Sequence, residues 1–322
     1  MFTWWTRKAV ALSAALCAPR KCSPFSRRSQ QRWWSWRRAA APLFWAREIA
    51  RLGHATKLIP AAYVKPFIKR QKNDAAGAEA ICEAAIRPNM RFVRPKSANE
   101  QGDALAFRAC DLFVRQRTQL INALRGHCAE FGVVAPKGAM HVERPVAWLE
   151  SEDADLPNAA MKALKSLIAS LRALSAEIAA IEKEIGRRAK DHEDTPRLMG
   201  VPGIGPMIAA AITALAPPAE FFENGRHFAA WLGLAPRQNS TGGKDRLGAI
   251  TKAGNEILRR LLIIGATSVV RALRRKPEHA GSWLGRLAAR KPPKLVPVAL
   301  ANKMARIVWA MFLGHVEEQG RL

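Results

Sequence analysis

Apolar residues recur at helical spacing along most of the chain after residue 43, and this pattern predicts a mainly helical protein. The clearest periodic stretches predict helices over residues 44–53, 73–86, 103–130, 255–273 and 296–313. Asn73 is placed to cap the second of these helices, and residues 54–59 predict a short strand. The apolar side of the third helix is expected to carry four leucines, Leu105, Leu112, Leu120 and Leu124.

A heptad seam runs through residues 164–185. Its apolar side chains are spaced alternately three and four residues apart, at Leu164, Leu167, Leu171, Leu174, Ile178, Ile181 and Ile185. This length is enough for a coiled coil or a long helical hairpin, and a core-facing helix inside one domain shows the same pattern. Pairing between chains would produce dimers or larger assemblies.

Residues 198–214 predict a glycine-rich turn between two apolar helices, in which VPGIGP (201–206) fits a helix-hairpin-helix. In that motif Gly203 and Gly205 allow the tight turn, and exposed N–H groups can hold a phosphate of nucleic acid. A glycine-containing turn that binds nothing is the alternative. Residues 236–254 are expected to form a polar basic loop, and residues 274–294 a basic linker.

The net charge of +26 over 322 residues indicates a polyanionic partner, most often nucleic acid. Residues 1–42 contain nine Lys or Arg, no Asp or Glu, and five of the ten Trp, and they show no period that predicts a stable element. No apolar run reaches the roughly 18 residues that a membrane span needs. Five Cys without a CxxC pair favour a reducing cytoplasm over a disulfide scaffold.

Candidate chemistry lies in the loop at residues 239–254, where Ser240 and Thr241 precede two glycines and a lysine. The surrounding cations are Arg237, Lys244, Arg246 and Lys252. A hydroxyl among cations suits attack on a phosphodiester, because the cations hold the phosphate and stabilise the transition state. A loop that only contacts phosphate is the alternative. Asp74, judged alone, is a solvated residue at a helix start.

Several stretches of the chain, taken together, resemble those of a known protein family. They are WAREIARLGH (45–54), IPAAYVKPFIKRQKNDAAGAEAICEAAIRP (59–88), residues 116–138, GVPGIGP (200–206), WLGLAPRQNSTGGKDRLGAITKAGNEILRRLLIIGA (231–266) and residues 299–311. The chain resembles transposases of the IS110 family with the IS116/IS902 type of C-terminal domain, specifically the IS1111 group. The resemblance covers nearly all of residues 43–322.

The resemblance implies a bacterial or archaeal recombinase that excises and inserts its own element. It implies a RuvC-like (RNase H-like) α/β domain whose four acids bind Mg²⁺, then a coiled coil, then an α-helical transposase domain with a nucleophilic Ser. Ser240 matches the nucleophile, with Thr241 beside it, and Asp74 matches the third acid. The implied partners are DNA of the element and the target, a structured guide RNA and further copies of the chain in a dimer or tetramer. We expect no membrane partner and a cytoplasmic protein that is nucleoid-associated when bound.

The N-terminal third departs from the family pattern. Gly77 stands where the fourth acid is expected, and SWRRAAAPLF (35–44) stands where the family has a Met-Glu-Ala-Cys-Gly motif, so the metal site is incomplete. The expected organisation is therefore an aberrant segment 1–42 without stable structure, a truncated RuvC-like remnant with a long helix (43–147), a coiled coil (148–194) and the C-terminal transposase domain (195–322). The strand at 54–59 is expected to lack its neighbours.

A frameshift in the gene near Pro42-Leu43 would explain this departure, and we state it as a hypothesis. Residues 35–40 can be encoded TCA TGG AGG CGT GCG GCA, and translation from the third base gives the missing Met-Glu-Ala-Cys-Gly motif. The nucleotide sequence tests the hypothesis, since stop codons or the absence of such a motif in that frame would contradict it.

Three interpretations of function stay open at this stage. The chain is a DNA recombinase whose metal-bound acids and Ser240 cut and join strands, or a catalytically inactive remnant that binds nucleic acid and oligomerises. The third interpretation is an organellar nucleic-acid-binding protein with residues 1–42 as its presequence, which predicts proteolytic removal of that segment.

Overall fold

The computed structural model describes residues 33–36, 41–69, 73–151, 154–275 and 281–314. Most of these residues are helical, which confirms the mainly α fold class. The chain divides into two compact units, residues 1–101 and 102–322, and each is described by itself.

The first unit contains a two-stranded parallel sheet with helices beside it. Its elements are β1 (Trp33–Trp36), α1 (Pro42–Arg51), β2 (Ala55–Leu58), α2 (Ala61–Val64) and α3 (Asp74–Ala85). Gly53, at a φ of +83°, follows α1 and allows the chain to turn into β2. A small core of Ile59, Val64, Ala80 and Ala84 joins the segment after β2 to α3.

Two expectations for this unit were wrong. Residues 33–36, expected to lack structure, form β1, while residues 1–32 and 37–40 lie outside the described residues. The strand β2 is not without neighbours, because it pairs with β1 and Leu58 bridges to Val93. After β2 the chain forms α2 and a 3-10 turn at Lys65–Phe67. Two strands are the only sheet in the described part of this unit, so a RuvC-like central sheet stays a prediction.

The described residues of the second unit are mainly helical, with one β-hairpin among them. Its elements are α4 (Ala98–Glu130), α5 (Glu143–Glu150), α6 (Asn158–Lys190), α7 (Asp194–Met199), α8 (Pro206–Leu215), α9 (Gly225–Trp231), β3 (Pro236–Gln238), β4 (Leu247–Ile250), α10 (Glu256–Leu273), α11 (Trp283–Arg290) and α12 (Leu295–Phe312). The first turn of α4 belongs to the first unit. The helices predicted at 255–273 and 296–313 are confirmed. The linker predicted at 274–294 is wrong in part, because it contains α11. Ser282 caps this helix, since its hydroxyl accepts a hydrogen bond from the Gly285 N–H.

The heptad seam of α6 is used within the chain. Leu164, Ile168 and Leu171 share one hydrophobic cluster with the C-terminal half of α4. At the other end of the same helices, Arg188 of α6 donates to the Asp103 carboxylate of α4 over 2.9 Å. The two helices are therefore antiparallel, which is the geometry of a long helical hairpin.

The apolar side of α4 was only partly predicted. Leu124 is fully buried, but Leu105 and Leu112 are 62% and 48% exposed. Their places on the buried face are taken by Ala104 and Phe107. The prediction was based on the leucines alone. The helix instead packs the face that carries Ala104 and Phe107 against the C-terminal core.

An ion triad connects α4 to the C-terminal helices. The carboxylate of Asp111 is 6% exposed and accepts hydrogen bonds from Arg115, one turn further on in α4, and from Arg260 of α10. A buried carboxylate needs such partners, because desolvation of an unpaired charge is costly. The triad thus fixes the helical hairpin against the domain that carries the candidate site.

α12 is the central helix of the C-terminal core. Among the described residues, it is the single helix whose length and apolar composition would allow it to cross a membrane. Its Val296, Leu300, Met304 and Val308 are buried against the neighbouring helices of this unit. This burial is what the core helix of a globular domain shows.

Candidate functional site

The segment predicted as a polar loop is a β-hairpin, which we call the Ser240 hairpin (residues 236–250). β3 and β4 pair antiparallel, and the Asn239 N–H donates to the Arg246 carbonyl over 2.8 Å. Gly242 and Gly243, at φ +56° and +75°, form a two-residue turn between Thr241 and Lys244. Two residues with positive φ are what the primed hairpin turns require, so the glycine pair is the hairpin turn.

Ser240 lies beside the turn with its hydroxyl held on two sides. The hydroxyl donates to Asp245 Oδ1 over 2.9 Å and accepts from the Arg246 N–H over 3.3 Å. Ser240 is half-buried, whereas its neighbour Thr241 is exposed. The sequence prediction missed Asp245, because residues 240 and 245 meet only when the chain reverses between them.

The Ser240 hairpin and the residues after it form a strongly basic surface. Arg237, Lys244, Arg246 and Lys252 are all predicted site residues, and the structure brings them onto one hairpin and its base. Arg237 reaches across to the Thr251 carbonyl at 3.5 Å. Asp245 is the only acidic residue in segment 236–254, so a phosphate would meet an excess of positive charge.

The base of the hairpin is held by a close contact that we call the glycine interlock, in which residues 231–234 lie against residues 252–254. Gly254 has a φ of +69°, and a Cβ there would overlap the Trp231 carbonyl oxygen. Gly233, at a φ of +74°, would collide with the backbone of Ala253 in the same way. Only glycine fits both the backbone angles and the separation at these two positions.

A buried arginine reinforces the interlock. Arg259 of α10 is 8% exposed and donates to the Leu232 and Ala253 carbonyls over 3.0 and 2.7 Å. Asn255 accepts from the Leu258 N–H and caps the same helix. One guanidinium therefore binds both backbone segments, and α10 fixes the base from which the Ser240 hairpin projects.

The turn at 201–206 joins α7 to α8 as predicted, and Val201, Ile204 and Ile208 are buried between the helices. A Cβ at Gly203, whose φ is +90°, would lie 2.9 Å from the Gly265 carbonyl oxygen of α10. The close crossing of these backbones explains this glycine without any ligand. A phosphate-binding role for Gly203 and Gly205 stays a prediction.

Known proteins share the region that contains this architecture. The sequence model of the transposase IS116/IS110/IS902 family matches residues 195–281, which include the Ser240 hairpin and the interlock. A probable family 20 transposase of Pseudomonas aeruginosa is 46% identical over 272 residues, covering 83% of this chain and 80% of the relative. A putative transposase of Sinorhizobium fredii is 44% identical over 270 residues (83% and 69%). The transposase of insertion sequence element IS1111A from Coxiella burnetii is 37% identical over 269 residues (83% and 74%).

The chain belongs to the IS116/IS110/IS902 transposase family. The resemblance drawn from the sequence is thereby confirmed, including its placement with the IS110 and IS1111 elements. This transposase belongs to a mobile insertion sequence, and DNA transposition is the process that the family serves.

In the part of the chain that the structure describes, the acids do not gather into a metal site. Asp74 is the exposed first residue of α3, whose cap is Asn73 as predicted, and Gly77 supplies no ligand one turn later. The nearby Glu79 and Glu83 of α3 are paired with Lys69 and Arg87. No group of three His, Cys, Asp or Glu side chains lies close enough to hold a metal in the part of the chain that the structure describes. The residues present there do not fit Mg²⁺.

The described cysteines are not in a form suited to nucleophilic attack. Burial raises the pKa of the Cys82, Cys110 and Cys128 thiols, and the thiols stay free. A raised pKa keeps a thiol protonated, whereas the thiolate is the reactive form. Cys17 and Cys22 lie outside the described residues.

Gly254→Ala should disrupt the interlock, because the new methyl overlaps a carbonyl oxygen and the backbone is left-handed. We expect a loss of about 2–5 kcal/mol in the free energy of unfolding, measured in urea. Gly242→Ala is the matched control, since its φ is also positive but a Cβ there meets open space, and it should cost about 1–2 kcal/mol. Equal losses in the two variants would show that the close contact is not a constraint.

Proposed function

We propose that this transposase is a site-specific recombinase that cuts and joins DNA strands with Ser240 as the nucleophile. The observation that carries the proposal is the Ser240 hydroxyl, held between the Asp245 carboxylate and the Arg246 N–H at the end of a basic hairpin. A nucleophile and its proton acceptor within hydrogen-bond reach are what covalent catalysis requires. The expected partners are the DNA of the element and its target in the bacterial cytoplasm, together with a structured guide RNA.

The cleavage step follows from these contacts. Ser240 Oγ attacks the phosphorus of a phosphodiester while its proton passes to the Asp245 carboxylate. The bond from phosphorus to the sugar oxygen of the departing strand breaks, and that oxygen takes a proton from water. The cut strand is left as a phosphoserine ester, and attack by a second strand's hydroxyl reverses the step and joins the new strands. No oxidant or reductant is consumed.

The cations around Ser240 supply the electrostatic part of the mechanism. Arg237, Lys244, Arg246 and Lys252 would hold the phosphate oxygens and stabilise the charge that grows on them during attack. Contacts of this kind position DNA without selecting its sequence, which leaves target choice to the guide RNA. The N–H groups at Gly203 and Gly205 are proposed as further phosphate contacts.

We also propose that the transposase works as a homo-oligomer, a dimer or a tetramer. The a/d seam of α6 already packs against α4, so it does not supply the interface on its own. Leu105 and Leu112 lie exposed on α4 seven positions apart, about two helical turns, which places both on one side of that helix. This side is the apolar surface that we assign to contact between copies.

The missing acids favour a second candidate function for this copy, a remnant that binds nucleic acid and oligomerises without chemistry. Asp74 alone cannot replace a four-carboxylate site for Mg²⁺, the cofactor expected of the family. An excision assay with a DNA copy of the element separates the candidates. The remnant function predicts that the native chain and Ser240→Ala are equally inert, and that Gly77→Asp with a repaired N-terminus regains excision. Excision by the native chain would contradict it.

A phosphodiester probe tests the nucleophile without the rest of the reaction. We expect thymidine 5′-(4-nitrophenyl phosphate) to leave a thymidylyl group on Ser240 of the full chain, as nitrophenolate departs. Trypsin cleavage after Arg237 and Lys244 gives a seven-residue peptide in which fragmentation distinguishes Ser240 from Thr241. Ser240→Ala should abolish the adduct, and the matched control Thr241→Ala should keep it. An adduct on Thr241, or none on the native chain, would contradict the proposal.

Asp245→Asn tests the proton acceptor, because the amide can still accept the Ser240 hydroxyl hydrogen bond but is not a base. We expect the initial rate of nitrophenolate release to fall about 100-fold, the lower end of what general base catalysis contributes. Asp245→Glu should recover part of the rate. If Asp245→Asn reacts as fast as the native chain, Asp245 only supports the hairpin.

A further inference from the structure

A groove of about 970 Å³ lies beside the base of the Ser240 hairpin, within the second unit. One wall is the hairpin itself, at Pro236 and at Gly248 through Ile250. α12 supplies most of the other lining residues, together with the first residues of α9 and α11. None of the residues that line the groove takes part in the cleavage step proposed above.

The groove combines an apolar floor with a positively charged rim. Leu295, Val298 and Ile307 give it an apolar surface. Arg226, Lys303 and Arg306 are its charged lining residues, and none of the described residues that line it is a carboxylate. Three cations without a neutralising acid make the groove complementary to an anion rather than to an uncharged or basic partner.

Two indoles add a stacking surface to the groove. Trp283 is 37% exposed, and the Lys303 ammonium lies 4.6 Å from its ring centroid. Trp309 is fixed by its indole N–H, which donates to the Ala219 carbonyl over 3.1 Å. A flat ring with a cation over it, beside apolar side chains, offers a base a stacking partner and offers its phosphate a counter-charge.

We infer that this groove binds an unpaired stretch of nucleic acid next to the strand that Ser240 cuts. In a duplex the base faces are stacked on each other and cannot use an apolar floor or an indole, whereas unpaired bases leave those faces free. An acidic peptide would match the charge but not the aromatic surface. This inference rests on the proposed function for its meaning, although the groove's chemistry is independent of Ser240.

The groove is close enough to the reaction to hold nucleotides that adjoin the cut. Pro236 lines it and lies four residues before Ser240, a separation of about 13 Å along an extended strand. Since recombination opens one duplex to exchange strands with another, unpaired nucleotides are present near the cut phosphate. The groove would keep them from re-pairing while the phosphoserine link persists.

Fluorescence anisotropy with a labelled 12-nucleotide oligo(dT) and the full chain tests the inference. Trp283→Ala should weaken oligo(dT) binding about tenfold and binding of a 12-base-pair duplex less than twofold, while Trp283→Phe keeps most of the affinity. Lys303→Ala should weaken oligo(dT) binding several-fold. Lys165→Ala, an equal charge change at an exposed site on α6, should leave it within twofold. Unchanged oligo(dT) binding by Trp283→Ala and Lys303→Ala, or an equal loss for duplex, would overturn the inference.

Crosslinking of the native chain locates the strand without any variant. Oligo(dT) carrying 5-bromodeoxyuridine should crosslink under ultraviolet light to peptides that contain Trp283 or Trp309, and unlabelled oligo(dT) should compete. Crosslinks elsewhere only, or equal competition by polyglutamate, would overturn the groove as a nucleic-acid site. Crosslinks in the groove without a Ser240 adduct would contradict Ser240 as the nucleophile and support the groove as a nucleic-acid site. A Ser240 adduct without groove crosslinks would do the reverse.

Discussion

The position of Ser240 depends on how closely two pieces of backbone approach each other beneath its hairpin. Residues 231–234 and 252–254 lie at a separation that a Cβ on Gly233 or Gly254 would prevent. Arg259 then binds carbonyls from both segments. A short two-stranded hairpin is barely stable alone, so this anchoring to α10 is what gives the Ser240 hydroxyl a fixed place. The Asp111 triad extends the same support to the long helical hairpin.

Both the net charge of this chain and the positions of its cations bear on its partner. The net charge of +26 indicates a polyanionic partner but does not say where it binds. The structure concentrates cations on the Ser240 hairpin and on the rim of the neighbouring groove, and leaves Asp245 as the only carboxylate of segment 236–254. One carboxylate among these cations leaves the segment with a net positive charge, which attracts a phosphate.

Much of the fold can be predicted from the spacing of apolar residues along the chain. The features that could not be predicted depend on contacts between residues that are distant in sequence. The long helices, the Asn73 cap and the turn at 201–206 are local features, and the sequence predicts them. The Ser240 hairpin was expected as a loop, because its strands are short, β3 is polar, and only the Gly242–Gly243 pair signals a turn. The partner of the α6 seam and the contact between Asp245 and Ser240 both depend on which distant segments meet in the fold. The acids of the N-terminal third could not be placed because Gly77 and the segment before α1 do not supply them.

A structure of the full chain bound to nicked duplex DNA tests the central claim, that the hairpin held by the interlock presents Ser240 to the cut phosphate. Electron cryo-microscopy should place a backbone phosphorus about 3–3.5 Å from Ser240 Oγ, with the Asp245 carboxylate on the other side of the hydroxyl and Gly233 and Gly254 still in contact with the facing backbone. A phosphate held elsewhere on the chain, with the Ser240 hydroxyl turned away from the DNA, would contradict it.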